Sequence, residues 1–290
     1  MAVFPPEVPL PEESIKKLVD LYKAAYLRIL DEIDGATDFG RARRVAIARN
    51  IEKELTNLGQ DTAKWVQEEV PAAYKLGMTD AVKQLEFVKA PIKVGTTFTT
   101  INREAVGVLI SDMQESFGTS LSAVNRSARQ VFTNAAREEI KARIAEGSVT
   151  GATRKEIAAK VKDVVKERGI SALTDRGGRS WTLDRYADML ARTKLVEARN
   201  TGLQNKMLEN GYDLVEVSNT GSTHEECARW EGEILSLTGQ TPGYPTVADA
   251  EADGLFHPNC QHALNAVHSD LASRTIAYNN ETQQYEGPND

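Results

Sequence analysis

Between Thr100 and Ala145, the apolar residues Val106, Ile110, Met113, Phe117, Leu121, Val124, Ala128, Val131 and Ala135 recur every three or four positions, a mean of about 3.6. At 1.5 Å per residue this is an amphipathic helix of about 70 Å with one apolar stripe. A stripe of that length must be buried against other long helices or another protein chain. A mean nearer 3.6 than 3.5 favours an ordinary bundle over a heptad supercoil.

The rest of the chain supplies candidate partners for that helix. After a Pro-rich arm, Ser14 opens a helix with Ile15, Leu18, Val19, Tyr22, Tyr26, Ile29, Leu30 and Ile33 on one side, broken at Gly35 and Asp38. A second helical stretch runs from about residue 39 to Leu85 through Val45, Ile51, Leu55, Leu58, Trp65 and Val70, and Pro71 is expected to kink or divide it. Residues 89–97, with Pro91 and Gly95, form a linker. Gly147 to Gly151 should end the long helix. A capping box at Thr153 and Glu156 opens another that Gly169 stops, and residues 171–180 are turn-rich. A helix from Leu183 to Asn210 should terminate at Gly211.

Beyond Gly211 the period changes. Residues 212–218 and 233–237 read as two short strands around a Cys-containing turn, and residues 238–254 as a Gly-, Pro- and acid-rich loop. The amide-rich stretch 278–285 is expected to fray. The expected fold is mainly α with a small α+β C-terminal module: long amphipathic helices in an elongated bundle, then short strands around a Cys/His cluster. The expected division is a helical arm (1–90), a long-helix region (91–180), the α+β module (181–268) and a polar tail (269–290).

Composition narrows the function. In 290 residues, 41% are hydrophobic, enough for a core, and no apolar run approaches a membrane span. The acidic, Pro-rich N-terminus is unlike a signal peptide, so the expectation is a soluble chain made in a reducing cytoplasm. The net charge of -7 is unevenly divided: residues 201–290 carry 3 basic and 14 acidic side chains, a balance of -11 that leaves +4 for the first 200. An acidic C-terminal third is repelled by phosphate backbones, so sequence-specific DNA binding is not expected there. The basic residues Arg41, Arg43, Arg44, Arg49, Arg126, Arg129, Arg137, Lys141 and Arg143 read as solvated helix faces in preference to a DNA- or protein-docking surface.

All four histidines (His224, His257, His262, His268) and both cysteines (Cys227, Cys260) fall within 45 consecutive residues. Cys227, His257, Cys260 and His262 make a two-thiolate, two-imidazole set of the kind tetrahedral zinc prefers, although the spacing fits no standard zinc finger. The same residues are compatible with a hydrogen-bonded turn in which both cysteines are small buried hydrophobes, or with a Cys227–Cys260 disulfide in an oxidising medium. His224-Glu-Glu226 satisfies half of the zinc deaminase signature, but Pro258-Asn-Cys260-Gln-His262 does not supply its Pro-Cys-x-x-Cys half.

Four runs carry a resemblance: Met189 to Asn200, with its Arg192-Thr; Asn210-Gly-Tyr-Asp-Leu-Val-Glu-Val-Ser218; Cys227-Ala-Arg-Trp-Glu-Gly-Glu-Ile-Leu-Ser236; and Leu255-Phe-His-Pro-Asn-Cys-Gln-His262. Together they resemble the tailed-phage minor capsid protein 2 family and, more distantly, the head morphogenesis proteins of the phage Mu F type. The specific part covers about residues 180–265, with motif positions Arg192, Cys227, Trp230, Gly232, His257, Pro258, Cys260 and His262. The chain departs from the family in having Thr223-His-Glu-Glu226 before the first cysteine, Gln261 where Arg is usual, and no basic closing helix.

The resemblance implies a structural protein of few copies that associates with the portal vertex, acts in head assembly, and stays inside the head or leaves with the DNA. Its implied partners are the portal protein, other copies of itself, and major capsid or scaffold protein, with packaged DNA nearby and no membrane. Its implied location is the virion interior near the portal, after host cytoplasm during assembly. No catalytic role is implied. The expected cofactor is one structural zinc at Cys227, His257, Cys260 and His262. The rival reading is a zinc-dependent hydrolase, with Glu225 or Glu226 as proton shuttle, or a toxin-like effector using the same cluster.

Overall fold

Three long helices open the chain: α1 (Glu12–Asp34), α2 (Arg41–Phe87) and α3 (Thr100–Thr150). The computed structural model describes residues 10–34, 41–150, 173–174, 180–258, 260, 262–267, 277–279 and 284–286. The capping box at Thr153, the stop at Gly169, most of the Pro-rich arm, the turn at residues 175–179 and His268 lie outside the described residues. The remaining elements are strands β1 (Leu173–Thr174) and β2 (Ser180–Trp181), helix α4 (Leu183–Glu209), strand β3 (Leu214–Val217), helix α5 (Glu225–Ala228), strand β4 (Ile234–Ser236), helix α6 (Val247–Ala252), and strands β5 (Leu264–Ala266), β6 (Ala277–Asn279) and β7 (Gln284–Glu286). The mainly helical architecture with a small C-terminal sheet is the one expected from sequence.

Compactness groups the residues by helix halves rather than by order along the chain. One unit holds residues 13–66 and 112–190; the other holds 1–12, 67–111 and 191–290.

The first unit is a helical layer. It buries Ile15, Leu18, Tyr22, Ile29 and Ile33 of the expected α1 stripe and Ala25 beside them, with Val19, Tyr26 and Leu30 half-buried, together with Ile47, Ile51, Leu55 and Leu58 of α2 and Met113, Phe117, Leu121 and Val124 of α3. Tyr22 meets Phe117 with ring centroids 5.9 Å apart and accepts a hydrogen bond from the buried Thr62 hydroxyl at 3.2 Å. The Trp65 indole donates to the Ser14 hydroxyl at 2.8 Å.

Of the two outcomes expected at Pro71, a kink or a division, the division does not occur: Arg41–Phe87 is one helix with Pro71 inside it. Proline costs a helix interior about 3 kcal/mol through its missing N–H and its ring. Val70, Ala73, Tyr74 and Met78 around it are all buried, and an unbroken helix keeps them on one stripe.

In the second unit, α2 and α4 touch backbone to backbone. A Cβ on Gly77 would lie 1.8 Å from the Arg199 carbonyl oxygen, and one on Gly202 would lie 2.1 Å from that of Tyr74. Two glycines facing opposite helices permit this crossing, and polar pairs fix it on either side. Asp80, buried, accepts from Arg199 Nε at 2.9 Å and from its terminal nitrogen at 2.6 Å, and Asn205 donates to the Tyr74 hydroxyl at 2.7 Å.

The end of α4 organises the segments that meet it. Asn210 accepts from the Lys93 and Val94 N–H groups and donates to the Val94 carbonyl, tacking the 89–99 linker to the helix. The fully buried Lys206 ammonium is neutralised by Glu209, whose other oxygen accepts from Thr99 at 2.6 Å and Asn102 at 2.7 Å. Gly211, with φ 85°, stops the helix as expected.

The sheet has the order β4-β3-β5, all antiparallel, with Val215 opposite both Leu235 and Ala266. Its apolar side packs on Ala81, Leu85, Leu203 and Met207 of α2 and α4. Gln84 ties α2 to β5, donating to Asn265 at 3.1 Å and accepting from the Ala266 N–H at 2.8 Å. Buried Asp213 accepts from the hydroxyls of Ser236, Thr238 and Thr241 and from the Thr238 N–H, each at 2.6 to 2.8 Å, so the loop after β4 folds around one carboxylate.

Three features differ from expectation. The third strand, β5, was not expected. The 238–254 loop contains α6, capped reciprocally by Thr246 and Asp249. The tail, expected to fray, carries the antiparallel pair β6 and β7.

Gly202→Ala should destabilise the fold by about 3 kcal/mol, read as a strongly lowered urea midpoint, because the clash is with backbone. Gly107→Ala on α3, where a Cβ would meet nothing within 4 Å, should be neutral or stabilising by up to about 1 kcal/mol. Equal effects would refute the close crossing.

Candidate metal centre

Cys227 sits in the one-turn helix α5 and is fully buried. The residues after it form a tight turn: Trp230 N–H donates to the Cys227 carbonyl at 3.0 Å, and Gly232, with φ 77°, donates to Val217 at 3.0 Å. The Cys-x-x-Trp-x-Gly spacing thus has a local cause, since the sixth position needs a left-handed residue. Trp230 packs half-buried against the core.

The opposing segment reaches Cys227 through two left-handed residues. Gly254 has φ 104°, and a Cβ there would lie 2.9 Å from the Glu226 carboxylate. Phe256 has φ 60°, uncommon for a bulky side chain, and directly precedes His257. The Cys260 N–H then closes onto the His257 carbonyl at 2.8 Å.

Among the described residues, Cys227, His257 and Cys260 bring one ligand atom each to within 4.8 Å of one another, a group able to hold a metal ion. The two sulfurs are 3.6 Å apart and the cysteines are free. A tetrahedral zinc with bonds of about 2.3 Å would separate its sulfurs by about 3.8 Å, whereas a disulfide requires about 2.05 Å. His257 fits as well: its Nδ1 is 2.9 Å from the Pro258 carbonyl, which can only accept, so Nδ1 carries the proton and Nε2 keeps its lone pair. Without a metal, burial and the neighbouring Cys260 thiol push the Cys227 thiol up to about 11, against the backbone N–H groups of Phe256 and His257, which favour the thiolate.

His262, expected as a fourth ligand, is not in that group of three but lies directly beside it. Its Nε2 donates to Glu231 at 2.9 Å and lies 3.2 Å from the Thr220 hydroxyl, while its Nδ1 is 3.2 Å from the Cys260 sulfur. With its Nε2–H given to Glu231, the ring keeps the Nδ1 lone pair on the Cys260 side.

Glu231, which no sequence motif singles out, is the anchor of this side. One oxygen accepts from the Thr220 N–H, the Thr220 hydroxyl, the Ser222 N–H and His262. These bonds, the Ser222 N–H first and His262 next, hold its carboxyl down at about 2.

The other sequence candidates are not members of the ligand group. His224 is exposed and stacks on His257, ring centroids 4.1 Å apart, and Glu225 and Glu226 are exposed on α5. Arg192 on α4 forms a bidentate pair with Glu12 at 2.6 and 2.8 Å.

His257 and Cys260 also line a cleft of about 270 Å³, whose other wall is α4 with Thr193, Glu197, Asn200 and Gln204. Glu251 joins that lining, and desolvation together with nearby Glu197 pushes its carboxyl up.

The family model of Phage minor capsid protein 2 matches residues 40–286, which runs from α2 through β7 and includes this centre. The chain belongs to that family. No curated protein and no solved structure matches it. Membership points to a structural role in the phage capsid, in the company of other phage structural proteins, and no described helix is long and apolar enough to cross a membrane.

The Glu231 hydrogen bonds stabilise the fold fully above the ordinary carboxyl value of 4.5, and that contribution is lost as pH falls through the folded value of about 2. Urea midpoints should therefore drop between these limits. Glu231→Gln should flatten the drop; an unchanged slope would show that Glu231 is not the responsible group.

Proposed function

We propose that this minor capsid protein is a structural component of the portal vertex inside the head of a tailed bacteriophage, and that one zinc ion at Cys227, His257 and Cys260 pins its small α+β module. The match of residues 40–286 to the phage minor capsid family is the observation that carries the assignment to the virion. The portal vertex suits a chain of long helices with extended apolar stripes, which pack among copies of themselves or against a ring. Major capsid or scaffold protein would be a further contact during assembly in the host cytoplasm. Exit with the DNA fits a mostly helical chain, whose contacts are local and reform readily.

Zinc is supported by the donor set of two thiols and one imidazole, by the 3.6 Å sulfur separation, and by the Pro258 carbonyl that fixes the histidine tautomer. Bound there, it would cross-link α5 to the 255–260 segment, in a module whose strands are only three or four residues long.

Reduced, freshly purified protein should carry about one zinc equivalent by elemental analysis, and Cys260→Ala should lose it and melt earlier. Background zinc in the wild type would overturn the metal assignment. Immunogold should mark one vertex of purified virions once the heads are opened and leave intact heads unlabelled. Label spread over all vertices, or none in opened heads, would overturn the portal assignment.

A further inference from the structure

We infer that Glu231 is the positioning carboxylate of the zinc centre, holding the Nε2–H of His262 so that its Nδ1 completes the shell begun by Cys227, His257 and Cys260. The inference rests on the zinc reading above. His262 is 2% exposed, so its ring is shielded from bulk water. Its Nε2 meets Glu231 at 2.9 Å, and a carboxylate only accepts, so in the neutral ring Nε2 carries the proton and Nδ1 keeps its lone pair. That lone pair lies 3.2 Å from the Cys260 sulfur, whose thiol is a weak donor. A zinc ion is the stronger partner for a buried imidazole lone pair beside two cysteines.

The spacing suits a closed shell. Across a tetrahedral zinc with bonds of about 2.3 Å to sulfur and about 2.05 Å to nitrogen, a sulfur and a nitrogen stand about 3.6 Å apart and two sulfurs about 3.8 Å. The Cys260 sulfur has that of Cys227 at 3.6 Å and His262 Nδ1 at 3.2 Å, and the His262 N–H donates to it at 3.5 Å. The ligand atoms of Cys227, His257 and Cys260 lie within 4.8 Å of one another without His262, so filling the shell draws its ring towards Cys227 and His257. Glu231 is pinned independently of the ring: the Thr220 N–H, the Thr220 hydroxyl and the Ser222 N–H donate to the same oxygen, each at 2.9 Å. A carboxylate on the far nitrogen fixes the tautomer of a ligating histidine and strengthens it as a base. The Pro258 carbonyl holds the other tautomer in His257, through Nδ1, so the two imidazoles would bind zinc by opposite nitrogens.

The test uses the full chain with nitrogen-labelled histidines, stripped by chelator and reloaded with zinc, and read by long-range proton–nitrogen correlation spectra. Zinc should move the Nδ1 resonance of His262 and the Nε2 resonance of His257, each ring keeping its proton on the other nitrogen. Glu231→Ala, measured below its melting temperature, should weaken zinc binding by about 10–100-fold, and Glu231→Gln, which keeps an acceptor for the ring, should recover most of that loss. If Glu231→Ala melts earlier but leaves zinc affinity and the His262 resonances unchanged, Glu231 only ties down residues 220–222 and the inference fails. If zinc binds at one equivalent but moves His257 alone, or His257 with His224, the shell is completed without His262, and the inference fails while the metal reading stands. Failure of zinc to bind stoichiometrically would remove the metal reading and this inference with it.

Discussion

The backbone contact between α2 and α4 at Gly77 and Gly202 sets the geometry of everything C-terminal to it. With no side chain on either glycine, the two helices approach until carbonyls nearly touch the opposing Cα positions. That proximity lets Asp80 bury its charge on Arg199 and lets Asn205 reach Tyr74. Removing either partner of the buried ion pair would strand the other, at a cost of about 3–5 kcal/mol. With α4 so placed, its last turn organises the linker through Lys206, Glu209 and Asn210, and its 193–204 face becomes the wall of the cleft beside the cysteines.

A three-stranded sheet of three- and four-residue strands has little apolar surface of its own. It borrows core from α2 and α4 through Leu85, Leu203 and Met207. Its far side is held by polar devices: the Asp213 carboxylate that gathers Ser236, Thr238 and Thr241, the Glu231 carboxylate that gathers Thr220, Ser222 and His262, and the Cys227–His257–Cys260 group. A metal cross-link suits this design, because it would tie α5 to the 255–260 segment.

Much of this is legible in the sequence. The stripes from Ile15 to Ile33 and from Val106 to Ala128 are buried where their period places them, Gly211 stops α4, and the strand flanking Cys227 on each side forms. The Cys/His cluster is visible because rare residues fall in one window. The features that are not legible depend on partners distant in sequence. Gly77 and Gly202 look like poor helix residues until the opposing carbonyl is seen, and Pro71 is carried through by buried neighbours on both sides. Strand β5 is three residues long and is defined by pairing with β3 rather than by any pattern of its own. His262 falls outside the group of three, yet the carboxylate that orients its ring, Glu231, lies 31 residues earlier and carries no motif.

The most direct test of this account is zinc-edge X-ray absorption on the reduced, full-length protein. The structure predicts a shell with two sulfurs at about 2.3 Å and nitrogen or oxygen at about 2.0–2.1 Å. A shell of nitrogen and oxygen alone, or a sulfur–sulfur bond with no zinc, would contradict it.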